Sequence, residues 1–370
     1  MNFTFSDNER NLFQEIESTL TQEKQNFVQD TLHTEKDIAR ALIALKQKLT
    51  PFGYFKAFND SASMGPTATL EMMRIVARHF PSLLLGMEYG YRIFTEIRKY
   101  LTESFIQSLQ IKDTIPCAIA FCEDFVETDT KPSSITVQSV DDRFLISGEK
   151  KFIILAGMAK WIVVNGLIDC KNAIFFIAPQ SDGLVISPLV NKRIFPELTI
   201  ANIELTNCPV PKNRVIYPEQ MNAFINQIQL FENLACIACA LGMIDRCIET
   251  TTQFAKTHQS ENKPLIAHQA VAFSLAEAVT LRQTAELLAY RSAWMLAAND
   301  SEKFVMNHCA KIFCAESAET IVSQCMNILG GQVFLENNMV EQMLINAKFI
   351  QLMGTSTHLA RIAIADVALK

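Results

Sequence analysis

The spacing of apolar and polar positions changes twice along the chain. From residue 1 to about 113, apolar residues recur every three or four positions, which predicts amphipathic helices. The stretch "SDNERNLFQEIESTL" opens on Ser6 with Glu9 three residues later, a capping box at a helix start. "TEKDIARALIALKQKL", "TATLEMMRIVARHF" and "SLLLGMEYGYRIFTEIRKYLTESFIQSLQ" continue the pattern. From about 114 to 217 the period shortens to that of strands: "CAIAF", "SITVQSV", "RFLISGEKKFI", "WIVVNGL", "AIFFIAP", "LVISPL" and "TIANIELTNCPV". Turn-forming stretches such as "DTKPS", "DCKN" and "QSDG" separate them, and the reading is an antiparallel sandwich or barrel. From about 218 onward helical spacing returns in four long segments, near 219–256, 264–298, 302–329 and 334–368. Gly330 and Gly331 stand where the third should stop. The expected fold is therefore α+β and multidomain. An N-terminal α-helical domain (1–113) precedes a middle antiparallel β-domain (114–217) and a C-terminal four-helix bundle (218–370).

Composition narrows the function. With 49% hydrophobic and 19% charged residues the chain can bury a large core, and a formal net charge of -6 with no basic run speaks against nucleic-acid binding. The polar, acidic start "MNFTFSDNER" does not read as a signal peptide, and no stretch reads as apolar for long enough to enter a membrane. Ten scattered cysteines suit a reducing cytoplasm, and the pair Cys236 and Cys239 reads as buried helical thiols. No histidine pair has metal-ligand spacing, so no metal is expected.

One position resists the apolar pattern. "LFENLACIACALG", Leu230 to Gly242, carries a single charge, Glu232. Its helical neighbours at three and four residues are Ile228, Gln229, Ala235 and Cys236, none able to pair with it. A carboxylate in such a run is either a base kept dry to raise its pKa or the partner of a cation on another element.

The order of domains and four local strings resemble the acyl-CoA dehydrogenase family over nearly the whole chain. "ISGEKKFIILAGMAKWIVV" is similar to the family's N-G-x-K-x-W-I-T strand pair, and "LTNCPVPKNRVI" to the segment leaving its β-domain. "AHQAVAFSLAEAVTLRQTAELLAYRSAW" resembles its second bundle helix, and "NILGGQVFLENNMVEQMLINAKFIQLMGTSTHLAR" its G-G, R-D-A-K and G-T-S series. The resemblance implies an FAD-dependent oxidoreductase that removes hydrogen from the α and β carbons of an acyl thioester, carried by CoA or a carrier protein. Most members place the base late in the bundle, in E-G-T, where this chain has Met353 or Gly354 depending on the anchor. A minority, such as the isovaleryl and long-chain enzymes, place it on the first bundle helix, and there Glu232 falls on it.

The same resemblance assigns cofactor contacts to Phe121, Cys122, Thr128, Phe152, Ile154, His268, Gln269, Asn327, Gly330, Gly331, Ser356 and His358, and thioester contacts to Thr128 and Asn233. Several positions depart from the pattern. Cys122 and Ile154 replace threonines, Phe152 a tryptophan, and Asn233 an arginine. His258 and Glu261 stand for the arginine and phenylalanine of R-x-x-F, and Ile345 and Asn346 for the charges of R-D-A-K. These losses imply a weaker hold on FAD. They leave two alternatives open: a non-catalytic partner subunit of a heteromeric dehydrogenase, and a flavin oxygenase of the same fold. The family also implies a homo-dimer or homo-tetramer, or a hetero-oligomer, and the apolar runs "LLAYRSAWMLAA" and "LARIAIADVAL" offer surface for one.

Overall fold

The computed structural model describes residues 4–29, 34–56, 65–112, 114–121, 135–169, 171–190, 192–219, 221–335 and 338–369. The N-terminal part is helical: α1 (Asp7–Gln29), α2 (Glu35–Leu49), α3 (Pro66–His79), α4 (Pro81–Met87), α5 (Ile93–Ile97) and α6 (Glu103–Ser108). The capping box forms as read, with the Ser6 amide donating to Glu9 Oε2 at 2.7 Å and the Glu9 amide to Ser6 Oγ at 3.3 Å. Between α4 and α5 the chain makes a π-helical turn, Glu88–Arg92. Its residues are all buried, and π turns of this kind interrupt helices most often near functional sites.

All seven strand readings are found: β1 (Ile115–Ala120), β2 (Thr136–Val140), β3 (Arg143–Ile154), β4 (Ala159–Ile168), β5 (Lys171–Ile177), β6 (Leu184–Pro188) and β7 (Ile200–Pro211). A two-residue β8 (Val215–Ile216) follows. They form two four-stranded sheets, ordered β1-β4-β5-β8 and β2-β3-β7-β6. One pairing corrects the expectation of a purely antiparallel domain: β1 runs parallel to β4. β1 enters straight from the helical domain, and its return to the sheet is made by the intervening β2–β3 excursion rather than by a hairpin. The β3–β7 ladder shifts register between Ile146 and Gly148 and again between Lys150 and Ile153.

The third part contains α7 (Met221–Thr257), the short hairpin β9 (Gln259–Ser260) and β10 (Lys263–Pro264), α8 (Gln269–Ala297) and α9 (Lys303–Leu329). α10 (Met339–Ile350) and α11 (Thr357–Ala368) complete it. The expected fourth helix is thus two helices, divided by the turn 351–356, in which Gly354 takes a left-handed φ of +57°. Gly330 ends α9 at φ +63°, as anticipated. α7 corrects another expectation. It is long and apolar enough to cross a membrane, but 83% of its most apolar window is buried inside the protein, which marks a core helix. Its thiols Cys236 and Cys239 are fully buried. The domain limits read from the sequence fall between elements, after α6 and before α7.

A buried ionic cluster ties the first and third parts. Arg74 of α3 donates to Asp245 of α7 through Nε (2.5 Å) and Nη2 (2.9 Å), and its Nη1 lies 3.0 Å from Glu286 of α8. Arg282 of α8 donates to the same Asp245 at 2.8 Å. The β-domain is pinned to α10 by the Phe195 amide, which donates to Asn346 Oδ1 at 2.7 Å.

Candidate active site

Glu232 lies about three turns into α7, partly buried, with Phe231 and Asn233 buried on either side. The turn 351–356 packs directly over it. A Cβ placed on Gly354 would lie 3.4 Å from the Glu232 Cβ and 2.8 Å from Asn233 Oδ1. The two positions to which the resemblance points for a base, Glu232 on α7 and Met353 or Gly354 in the late turn, therefore meet in space. The chain fills the first with a carboxylate and offers no ionisable side chain at the second. Two carboxylates there would repel each other in a poorly solvated place.

The turn is fastened by a buried polar brace. Asn233 Oδ1 accepts from the Thr355 amide at 3.0 Å, and Asn233 Nδ2 donates to Asn307 Oδ1 at 2.9 Å. Asn307 of α9 donates to the Leu230 carbonyl at 3.3 Å. One helical turn further along α9, the fully buried Lys311 donates to the Ile350 carbonyl at 2.5 Å, where α10 ends. Asn233, read from the resemblance as a thioester contact, is 0% exposed and its amide is consumed by these internal partners, so it braces the turn instead.

Burial drives the Glu232 carboxyl up to about 7, and the nearby Lys311 cation pulls it part of the way back. Desolvation lowers Lys311 from the usual lysine range, a shift that Cys236, Cys314 and Glu232 partly offset. The Cys236 thiol, one turn beyond Glu232, is pushed up to about 11 and stays protonated. A carboxyl near 7 is poised to accept a proton at neutral pH.

The remaining candidate residues separate into groups. Phe121 and Phe152 are partly buried aromatic surfaces, Phe121 tilted against Phe224 of α7 with centroids 6.3 Å apart. Phe152 sits at the second register shift of β3 with φ +56°, its amide donating to Asn202 Oδ1 at 3.0 Å. Ile154 is buried. Cys122 and Thr128 lie outside the described residues. Ser356 caps α11 by accepting from the Leu359 amide at 3.3 Å, and His358 is exposed.

His268, Gln269, Asn327, Gly330 and Gly331 gather elsewhere, where α7 and α9 end and α8 begins. The pairing of Gln324 with Glu277 at 3.4 Å closes that corner. From Glu232 to the end of α7 is about 37 Å along the helix axis, so one chain does not bring this corner to Glu232. His268 Nε2 lies 3.2 Å from the Ser260 carbonyl, and His258 stacks on Phe254 with centroids 4.7 Å apart. Gly330 and Gly331 are exposed, and a Cβ on either would meet nothing within 4 Å.

Sequence reading missed Lys311, Asn307 and Thr355. The signal for Lys311 was the one that exposed Glu232: "CAKIFCA" is an apolar helical run holding a single charge. Asn307 precedes it by four residues and shares its face.

Residues 224–369 match the model of the acyl-CoA dehydrogenase C-terminal domain. The C-terminal part of the chain is thus similar to the acyl-CoA dehydrogenase C-terminal domain, and longer stretches are similar to acyl-CoA dehydrogenases and related enzymes. A 3-(aryl)acrylate reductase of Clostridium sporogenes is 24% identical over 297 residues, 78% of this chain and 77% of that protein. A cyclohex-1-ene-1-carbonyl-CoA dehydrogenase of Geobacter metallireducens is 24% identical over 269 residues, 70% of each. The solved structure of butyryl-CoA dehydrogenase from Megasphaera elsdenii superposes with a TM-score of 0.87 at 16% identity, covering 100% of both chains. The chain therefore shares the fold of that structure at low sequence identity.

Proposed function

We propose that the protein is a flavin-dependent oxidoreductase acting on the α,β carbons of an acyl thioester, with Glu232 as its base. The observation that carries this reading is the solitary, desolvated carboxylate facing a glycine in the turn where relatives place the alternative base. As the carboxylate, Glu232 takes the α-proton. Its burial weakens its hold on charge and so strengthens its proton affinity. Bound FAD would supply the acceptor for the hydrogen that leaves the β-carbon as hydride. The chain's residues fit that group in two parts. Phe121, Phe152 and Ile154 offer an apolar surface for a ring system, and the backbone at Gly330 and Gly331 is open to close approach by a ligand.

Those two parts lie at opposite ends of α7, so we assign a complete site to an assembly of two or more copies, a homo-dimer or homo-tetramer. The exposed apolar residues Phe273, Leu287 and Trp294 of α8, spaced in multiples of seven, and Leu359, Ile362 and Val367 of α11 form a surface suited to that contact. Thioesters of CoA and of carrier proteins, and an electron-accepting partner protein, belong to the same proposal.

Glu232→Gln keeps the volume of the side chain and removes the acceptor. In anaerobic mixing with a panel of short and aromatic acyl-CoAs, the wild type is expected to bleach the flavin. The variant should do so about 10²–10⁴-fold more slowly. Equal rates would remove Glu232 from the reaction. The second reading, a partner subunit without its own catalysis, draws on the exposed Glu261 and on His258 stacked against Phe254, where the family supplies a cation to a diphosphate. A colourless homogeneous protein that takes up no FAD would favour it.

A further inference from the structure

Two lone charges interrupt the apolar stretches of the bundle, Glu232 on α7 and Lys311 on α9, and the fold brings them near enough to influence each other electrostatically. Lys311 is 0% exposed. Its Nζ donates to the Ile350 carbonyl, and four residues later a Cβ placed on Gly354 would lie 3.4 Å from the Glu232 Cβ. Asn307, one turn before Lys311 on the same face, grips the backbone of α7 at Leu230 and the side chain of Asn233. α9 therefore holds both walls of the space around Glu232, α7 on one side and the turn 351–356 on the other.

We propose that Lys311 is a positioning residue for Glu232: it fixes the turn that covers the carboxylate and supplies the buried positive charge against which that carboxylate ionises. The proposal rests on the reading of Glu232 as the base. A buried ammonium needs a hydrogen-bond acceptor and a negative group nearby, and a buried carboxylate needs the converse. The Ile350 carbonyl meets the first need and Glu232 the second. The other titratable groups in this space are neutral at pH 7. Cys236 on α7 and Cys314 on α9 are thiols pushed up to about 11 and about 12 by burial. His308 on α9 is pushed down by burial and by Lys311 itself. Tyr89, from the π turn, hydrogen-bonds Cys236, which lowers that thiol's pKa without cancelling the effect of burial. Lys311 is thus the cation that Glu232 senses among the described residues there.

The sign follows. Lys311 favours the carboxylate, so removing its charge moves the ionisation of Glu232 to higher pH. The Lys311→Met change deletes charge and donor, Lys311→Gln deletes the charge and keeps a donor, and Lys311→Arg keeps both. In the flavin-loaded protein, the rising limb of flavin reduction against pH should move up by roughly one unit or more in the Met and Gln variants, and hardly in the Arg variant. At a pH below the limb this reads as about a tenfold loss of rate. The same shift should appear without turnover in the carboxylic-acid C=O infrared band of Glu232, identified as wild type minus Glu232→Gln. A purely structural Lys311 would lower the melting temperature and leave both titrations where they were, which overturns the proposal.

If the Met and Gln variants do not fold, the reciprocal measurement decides. Coupling is mutual, so Glu232→Gln should lower the pKa of Lys311, read by NMR of isotope-labelled lysine side chains. An unmoved lysine overturns the proposal. These two titrations need no activity. Were Glu232→Gln fully active, the base assignment would fail while the coupling of Lys311 to Glu232 would still be measured on its own.

Discussion

At the scale of single residues, Glu232 distinguishes a functional carboxylate from a structural one through stability as well as rate. Its folded pKa stands at about 7 against an ordinary 4.5. Between those values the folded protein binds the proton that the unfolded chain has released, so stability falls as pH rises through that window. The full cost above it is up to about 3 kcal/mol. Glu232→Gln carries no such cost. It should therefore melt higher than the wild type at about pH 8 and at the same temperature at about pH 5. Thermal scans at the two pH values check this. A residue kept for stabilising pairing would give the reverse, a lower melting point at the higher pH. The sequence made Glu232 visible because a lone charge breaks an apolar stripe. It did not reveal that Asn233 faces inward, since adjacent helical positions point about 100° apart and a motif match is blind to that angle.

At the scale of elements, the cluster Arg74–Asp245–Arg282–Glu286 welds α3 to α7 and α8. Burial pushes the Asp245 carboxyl up, but the hydrogen bond and charge of Arg74, then those of Arg282, outweigh it and hold it below its ordinary value. Its contribution is present above the unfolded value and is lost as pH falls through the lowered folded one, below about pH 4. Asp245→Asn removes the charge that Arg74 Nε and Nη2 bind inside the protein and should cost about 3–5 kcal/mol at neutral pH, measured by urea unfolding. A cost below about 1 kcal/mol would mean that Glu286 and Glu71, the latter 3.3 Å from Arg74 Nη1, compensate. Elements were the most legible level of the fold. Seven strands and the three long helices α7, α8 and α9 follow from periodicity, because each buries one face or its whole length. The parallel β1–β4 pairing was not legible, because strand direction depends on where the intervening chain travels and local pattern does not encode that. Periodicity ran α10 and α11 into one segment because "IQLMGTST" keeps apolar spacing, and the turn at Gly354 was indicated only by the resemblance to the family's G-T-S turn.

At the scale of the whole molecule, the distance along α7 has a consequence for assembly. Glu232 lies near one end and the glycine corner at the other, about 37 Å apart along the axis, yet the family's cofactor is a single extended molecule. The assembly proposed above takes Glu232 from one chain and Gly331 from another. Gly331 has open space around it and an ordinary φ, so Gly331→Leu should fold normally while blocking a ligand that approaches the backbone there. Glu232→Gln and Gly331→Leu should each be inactive as pure proteins. When the two are unfolded together and refolded in equal amounts, half of the dimers are mixed. Each mixed dimer holds one site with both defects and one with neither. About a quarter of the wild-type rate should then return. Residues acting within a single chain predict no recovery at any mixing ratio, and that result would return the glycine corner to a structural role. Size-exclusion chromatography with light scattering, run on the same mixture, confirms that mixed species formed and so makes an absence of recovery decisive.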